Sequence, residues 1–345
     1  MEAPPARDIF NFLNKTDPAE MILLASNENP LGMPESARRA AAAALEGAGN
    51  YPDSNGTALK NALAARLDVS PEWLTLGSGS SEILTLAAQV TLKPGENVVY
   101  SQYGFIVYAQ AAAQAHARAT VVPSRDFGHD LDAMRAAIAD DTKLVFVANP
   151  NNPTGTFIDA APLLAFLQSV PTHVTVLLDE AYTEYLSPAQ RYDSIEWVRR
   201  LPNLIVARTF SKAFGLAGMR IGYGVSQPAL AARMNAQRPR FNVTTPAQAA
   251  AVAALGDTEF LARTYELNTA GRDQLAAGFT ELGLAYVPSS GNFLMVQVGD
   301  AQAVHARLLA AGIEVSLLGP YGLPQWLRVS VGLPEQNRAV LAALR

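Results

Sequence analysis

The sequence predicts an α/β fold built on a largely parallel sheet, followed by a smaller α+β domain. Three observations carry that reading. Short apolar, β-branched runs alternate with helix-period segments, which is the rhythm of successive βαβ units. The runs are nearly all apolar, as strands covered on both faces require, and each is followed at once by polar residues. After about residue 245 the alternation gives way to long helical stretches and then to further strands.

Taken in order, residues 1–44 include the loop-like segment SNENPLGMP; they are too few to fold alone and are expected to pack against the small domain or a partner subunit. The alanine-rich stretch from Arg38 to Ala48 reads as a helix of high intrinsic propensity. A short strand around ThrLeuGly leads into a helix beginning near Ser80. Candidate strands follow at Asn97–Tyr100, Ala119–Val122, Leu144–Ala148, Val174–Leu178 and Leu204–Ala207, and these define a large domain over 45–245. A small domain, 246–345, is expected to hold helices Pro246–Gly256 and Asp257–Leu282 and strands Asn292–Val298, Ile313–Ser316 and Trp326–Val331.

Composition bounds the function. A chain of 345 residues with 49% hydrophobic and 17% charged residues is ordered and large enough for about two domains. Its 26 basic and 31 acidic residues give a net charge of -5 with no one-signed stripe, so nucleic acid is not an expected partner. The absence of cysteine removes disulfides, thiolate catalysis and zinc–thiolate sites. No N-terminal signal pattern and no apolar run of membrane-spanning length is present, so no membrane is expected and the location expected is cytoplasmic.

Ligands of open α/β sheets bind beyond the carboxyl ends of the strands, so Asn149–Gly155, Asp179–Tyr182 and Thr209–Lys212 are expected to share one cleft. Of the five lysines, Lys15, Lys60, Lys93 and Lys143 have settings that suit solvated side chains. Lys212 instead sits at a strand tip beside an apolar, Gly-rich loop, surroundings that disfavour the ammonium and make the amine a nucleophile toward an aldehyde. Asp179 ends a fully apolar strand. It is either a helix cap or half of a buried ion pair with an arginine, or it faces a protonated heterocyclic nitrogen; at ~3 Å and an effective dielectric of about 20 that attraction is roughly 5 kcal/mol. NPNNPTG (149–155) is a tight turn or a fixed amide donor, and TLGSGSSE (75–82) is a capped helix start or an anion cradle. Glu82 replaces the last glycine of a dinucleotide fingerprint, so a phosphate monoester fits better. Together the four segments describe a site for an aldehyde cofactor with a ring nitrogen, a ring oxygen and a phosphate: pyridoxal 5'-phosphate.

LASNENPLG, NYPD, NPNNPTG, DEAY, TFSKAFGLAGMR, GNF and LRVSVG, in this order from about residue 22 to the C-terminus, resemble the histidinol-phosphate aminotransferase family of fold-type I pyridoxal-phosphate enzymes. The resemblance implies a mostly parallel seven-stranded sheet in a three-layer αβα large domain, a cofactor-dependent transaminase and a homodimer. It implies that Lys212 bonds the cofactor aldehyde and shuttles a proton, and that Asp179 pairs with the ring nitrogen. Asn152 and Tyr182 would hold the ring oxygen. Ser80, Ser81, Thr209, Ser211 and Arg220 would surround the phosphate end, with Tyr51 reaching over from the other subunit. Phe105, or its rival Tyr103, would stack on the ring. Arg328 would bind the substrate's carboxylate, with Asn292 and Asn27 beside it. Small amino-acid and oxo-acid substrates are implied, and no metal.

The chain departs from the family pattern at two places: Ser316 stands where the family usually has a substrate-binding arginine, and Asn50 replaces another arginine before Tyr51. Losing one charge-assisted contact costs about 1.5–3 kcal/mol, and Arg240 is the candidate to compensate. Three readings follow: transamination of histidinol phosphate in histidine biosynthesis, transamination of an aromatic or other amino acid, and decarboxylation or lyase chemistry on the same scaffold.

Overall fold

A computed structural model describes residues 21–345 of the chain. Its strands are β1 (Ile22–Leu24), β2 (Leu74–Gly77), β3 (Asn97–Ser101), β4 (Arg118–Val122), β5 (Thr142–Ala148), β6 (Thr175–Asp179), β7 (Leu204–Thr209), β8 (Gly222–Val225), β9 (Tyr286–Val287), β10 (Phe293–Gln297), β11 (Ile313–Leu317) and β12 (Trp326–Ser330).

Seven of these form the large sheet in the order β2-β8-β7-β6-β5-β3-β4. β8 runs antiparallel to both neighbours, and the pairs from β7 across to β4 are parallel. Because side chains alternate along a strand, each central strand feeds two cores. Val145, Val147, Val176, Leu178 and Val206 join a cluster with Leu163, Phe166 and Trp197 on one face. Leu144, Phe146, Leu177 and Ile205 join Ile83, Leu84 and Tyr108 on the other. The five apolar runs of the sequence are β3 to β7. β8, four residues with two glycines, carries no hydrophobic period that would announce it.

The second sheet has the order β1-β11-β12-β10-β9, with β1 parallel to β11 and the other pairs antiparallel. The N-terminal segment therefore supplies an edge strand to the small sheet, with Leu24 packed among Leu275, Phe279, Leu294, Val315 and Leu327. The helix Thr245–Gly256 packs the other way. Its Ala247, Ala250, Ala251 and Ala254 are buried in the large-domain core with Ala37 and Ala41 of the Glu35–Ala44 helix. Small side chains on both helices allow this close approach, and on this packing we propose a division near Asp257 rather than at 245.

One lysine departs from expectation. Lys60 is buried at 5% exposure, its Nζ bonded among the described residues only to the amide oxygens of Asn55 (3.3 Å) and Asn235 (3.4 Å), and burial pushes its amine down to about 8. Its helical position looked solvent-facing because the covering Asn235 comes from a helix far away in sequence. Lys15 lies outside the described residues.

The fold places its chemistry by register. Ala148, Asp179 and Ala207 lie side by side at the carboxyl ends of β5, β6 and β7. Backbone bonds from Asn149 N to Asp179 O (3.0 Å) and from Glu180 N to Ala207 O (2.8 Å) carry the alignment into the loops beyond.

Candidate active site

The loops beyond β5, β6 and β7, the start of the Ser80–Thr91 helix, the segment after β1 and the faces of β11 and β12 enclose a cavity of about 500 Å³. Asn27, Ser80, Ser81, Phe105, Asn152, Asp179, Tyr182, Thr209, Ser211, Lys212, Arg220 and Arg328 all line it.

Asp179 is buried at the cavity floor without an arginine partner among the described residues. Its Oδ2 accepts a hydrogen bond from Tyr108 Oη (3.0 Å) and its Oδ1 one from Ala181 N (3.3 Å). Burial pushes its carboxyl up to about 6, against the lowering effect of those bonds. The ion pair that the sequence left open for Asp179 belongs to the next residue. Strand alternation turns Glu180 to the opposite face, where its Oε2 accepts from Arg208 Nε (2.9 Å) and Ser194 Oγ (2.9 Å).

Lys212 Nζ donates to Ser26 O (2.8 Å), and burial with the nearby Arg328 guanidinium pushes the amine down to about 8. Arg220 Nη1 donates to Ser211 Oγ (3.2 Å) and Ala217 O (3.0 Å), while Ser211 N donates to Thr209 Oγ1 (3.0 Å). At this end the backbone is closely approached: a Cβ on Gly79 would stand 2.3 Å from Arg220 Nη2, and one on Gly222 would stand 2.4 Å from Ser80 N. Glycine at 79 lets Arg220 lie against the helix start, and glycine at 222 lets β8 approach it.

The Asn-Pro loop is held by its own amides. Asn149 Oδ1 accepts from Ile158 N (2.8 Å) and Asn151 Nδ2 donates to Tyr103 O (2.9 Å), which leaves Asn152 facing the cavity. Arg328 Nη1 donates to Asn152 Oδ1 (2.5 Å) and Nη2 donates to Ala25 O (2.6 Å), while its buried Nε has no partner among the described residues. Asn27 Nδ2 donates to Tyr182 Oη (2.9 Å), leaving the phenol free to donate in turn, and burial pushes that phenol up to about 12.

Phe105 lines the cavity, whereas its rival Tyr103 packs against Phe127 with ring centroids 5.9 Å apart. Asn292 lies behind the wall, its Nδ2 donating to Asn27 O (3.0 Å). Tyr51 is not brought to the cavity: it is 82% exposed and stacked on Phe241 at 4.5 Å. Arg240 stands over the same Phe241 ring, 5.1 Å from its centroid, and is not among the cavity's lining residues. Ser316, opposite Arg328 in the register of β11 and β12, does line it.

Sequence reading missed Tyr108. The phenol is fully buried, stacked on Phe146 at 4.6 Å and edge-on to Phe105 at 6.1 Å. Its spacing of three from Phe105, at the start of the Val107–Gln114 helix, is the signal that was available. The carbonyls of Ala25 and Ser26 had no signal, since backbone groups carry none.

The profile of the family described as aminotransferase class I and II matches residues 19–344. This chain belongs to that aminotransferase family. Within it, the chain is 60% identical over 330 residues to histidinol-phosphate aminotransferase 2 of Ralstonia nicotianae, covering 94% of this chain and 88% of the relative. It is 60% identical over 332 residues to histidinol-phosphate aminotransferase 1 of Cupriavidus pinatubonensis, covering 95% and 88%. Among solved structures, histidinol-phosphate aminotransferase from Sinorhizobium meliloti, in complex with pyridoxal-5'-phosphate, superposes with a TM-score of 0.90 at 29% identity, covering 100% of this chain and 94% of that one. Aspartate aminotransferase from Thermus thermophilus with maleate superposes with a TM-score of 0.85 at 26% identity, covering 99% and 96%.

Proposed function

We propose that this aminotransferase uses pyridoxal 5'-phosphate to make histidinol phosphate and 2-oxoglutarate from imidazole acetol phosphate and glutamate, a step of L-histidine biosynthesis. The observation that carries the proposal is a depressed lysine amine and a buried carboxylate at the ends of adjacent strands, facing one cavity with Arg328 across from them.

The residues present fit the cofactor. The Ser80–Ser81 helix start, Ser211 and Arg220 form an anion cradle whose glycine approaches leave room for no side chain. Asp179, dry and bonded by Tyr108, would hold a proton on a ring nitrogen above it. Asn152 Nδ2 and the free Tyr182 O–H would donate to a ring oxygen, and Phe105 would cover one ring face. When bound, the cofactor supplies an aldehyde carbon for amines and an electron sink for a carbanion.

Lys212 Nζ, with its proton affinity lowered to about 8, is the base that takes the substrate's α-proton and returns it. Arg328 is oriented by Asn152 and Ala25 to grip the substrate's acidic group bidentately. Tyr182, kept a neutral phenol by burial, serves as donor rather than acid. The segment after β1 lines the cavity beside Lys212, and Ser26 O fixes the amine's position by accepting from Nζ.

Single-turnover absorbance spectroscopy of the cofactor-loaded enzyme, with histidinol phosphate, glutamate, phenylalanine and arginine added separately, tests the proposal. Histidinol phosphate reacting fastest supports it; an unphosphorylated amine winning supports the second reading, an aromatic or other amino-acid transaminase. Ser316 favours that second reading, since it places a hydroxyl where a second cation would hold a phosphate. We further propose a cytoplasmic homodimer in which Tyr51 reaches the partner's phosphate cradle. The 82% exposure of Tyr51, with Leu45 (61%) nearby in sequence, supports an interface there.

A further inference from the structure

We infer that Glu314 is a specificity-determining residue that recognises the N–H-bearing imidazole end of histidinol phosphate and of its oxo counterpart; the inference rests on the transaminase reading above. Three cations line the cavity, and each is already placed. Lys212 bonds Ser26 O, Arg220 lies with Ser211 and the helix start, and Arg328 spans Asn152 and Ala25. With Arg220 assigned to the cofactor's phosphate, Arg328 alone among the described lining cations remains for an anionic group of the substrate.

Beyond Arg328 the wall is β11. Ser316 pairs with Arg328 in the antiparallel register and so shares its face of the sheet. Glu314, two residues away, projects to the same face, and Leu23 pairs with it from β1. Glu314 and Ser316 both line the cavity, and both are intermediate in burial. The ion pairs among the described residues do not include Glu314. The wall thus offers a free carboxylate and a hydroxyl, and no cation.

Two residues along a strand span about 7 Å. A substrate anchored by its acidic group at Arg328 and extending along β11 brings its far end to Glu314. A second carboxylate there meets like charge and is disfavoured. A ring N–H or a cationic group donates a charge-assisted hydrogen bond and is favoured. Histidinol phosphate, with one acidic group and one imidazole, matches this pattern; glutamate, which the same site also turns over, meets Glu314 with its second carboxylate and is the less favoured of the two.

The test compares kcat/KM for histidinol phosphate and for glutamate in the wild type and in Glu314→Gln. The variant is expected to lower the histidinol phosphate to glutamate ratio by about tenfold, one charge-assisted contact's worth. In a Lys212→Ala background, which does not turn over, calorimetry is expected to show Glu314→Gln weakening histidinol phosphate binding by a similar factor. A ratio and an affinity unchanged in Glu314→Gln, with an active wild type, overturn the assignment and leave the transaminase reading intact. A wild type that transaminates none of the amines overturns that reading and this one with it.

Discussion

Asp179 carries a conflict between stability and chemistry that can be measured. Its ordinary value is 3.8 and burial raises it to about 6 in the folded protein. A carboxyl raised on folding binds its proton more tightly in the native state, so stability falls as pH rises from about 4 to about 6, by on the order of 3 kcal/mol. Cofactor-free Asp179→Asn is therefore expected to be more stable than wild type above pH 6 in urea titrations, and to lose that advantage near pH 4, while the loaded enzyme loses most of its rate. Tyr108→Phe removes the bond to Oδ2. It should cost about 1.5–3 kcal/mol where Asp179 is ionised and less where it is protonated, so equal losses at pH 4.5 and pH 8 would place the phenol's value in packing. For Lys212 the sign reverses: the amine drops from 10.5 to about 8, so cofactor-free stability should rise as pH climbs through that range. Lys212→Ala should abolish turnover, leave a folded protein and remove about half of that rise, the buried Lys60 supplying the rest; retained steady-state transamination would remove Lys212 from its role.

At the scale of elements, the phosphate cradle depends on two antiparallel strands meeting a helix start. Gly222 opens β8 opposite Thr209 of β7, and its missing Cβ admits Ser80 N. Gly222→Ala pushes backbone against backbone, which costs roughly 1–3 kcal/mol. Equilibrium dialysis should find cofactor affinity reduced more than the stability loss alone explains. Asp257 caps the 24-residue helix Thr258–Glu281 through Phe260 N (3.0 Å), and its other oxygen accepts from Ser36 Oγ (2.6 Å). Asp257→Ala is expected to cost about 1–2 kcal/mol in a urea midpoint measurement. Strands β3, β5, β6 and β7 were legible because buried parallel strands are almost continuously apolar, and the exposed edge strand β4 was legible from its β-branched residues. β8 and the three-residue β1 were not, since both are held by pairing partners rather than by a pattern of their own.

For the whole molecule, the proposed dimer makes a prediction about mixed chains. If Tyr51 serves the partner's site, Tyr51→Ala and Lys212→Ala chains are each defective, yet a mixed dimer contains one site with both residues. Half of randomly assorted dimers are mixed and each holds one intact site of two, so about a quarter of wild-type activity should return on co-refolding. No recovery would confine Tyr51 to its own chain. Legibility differed by place in the molecule. Lys212, Asp179, Asn152, Tyr182 and Arg328 stand in distinctive local strings, and the structure brings all five to one cavity. Tyr108, the Ala25 and Ser26 carbonyls and Glu314 stand in ordinary strings and become part of the site only through contacts between segments distant in the chain.

The sequence by itself determined the parallel strands β3 to β7 of the large sheet and which residue types stand at their carboxyl tips, because hydrophobic period and polar interruption are local properties of the chain. Only the tertiary structure decided that Asp179 is free of arginine while Glu180 takes the ion pair, that the Thr245–Gly256 helix packs on the large core, and that Lys60 is buried. Each of these turns on which distant side chain arrives to cover a position, and burial and partnership across the fold are not written in the neighbours along the chain.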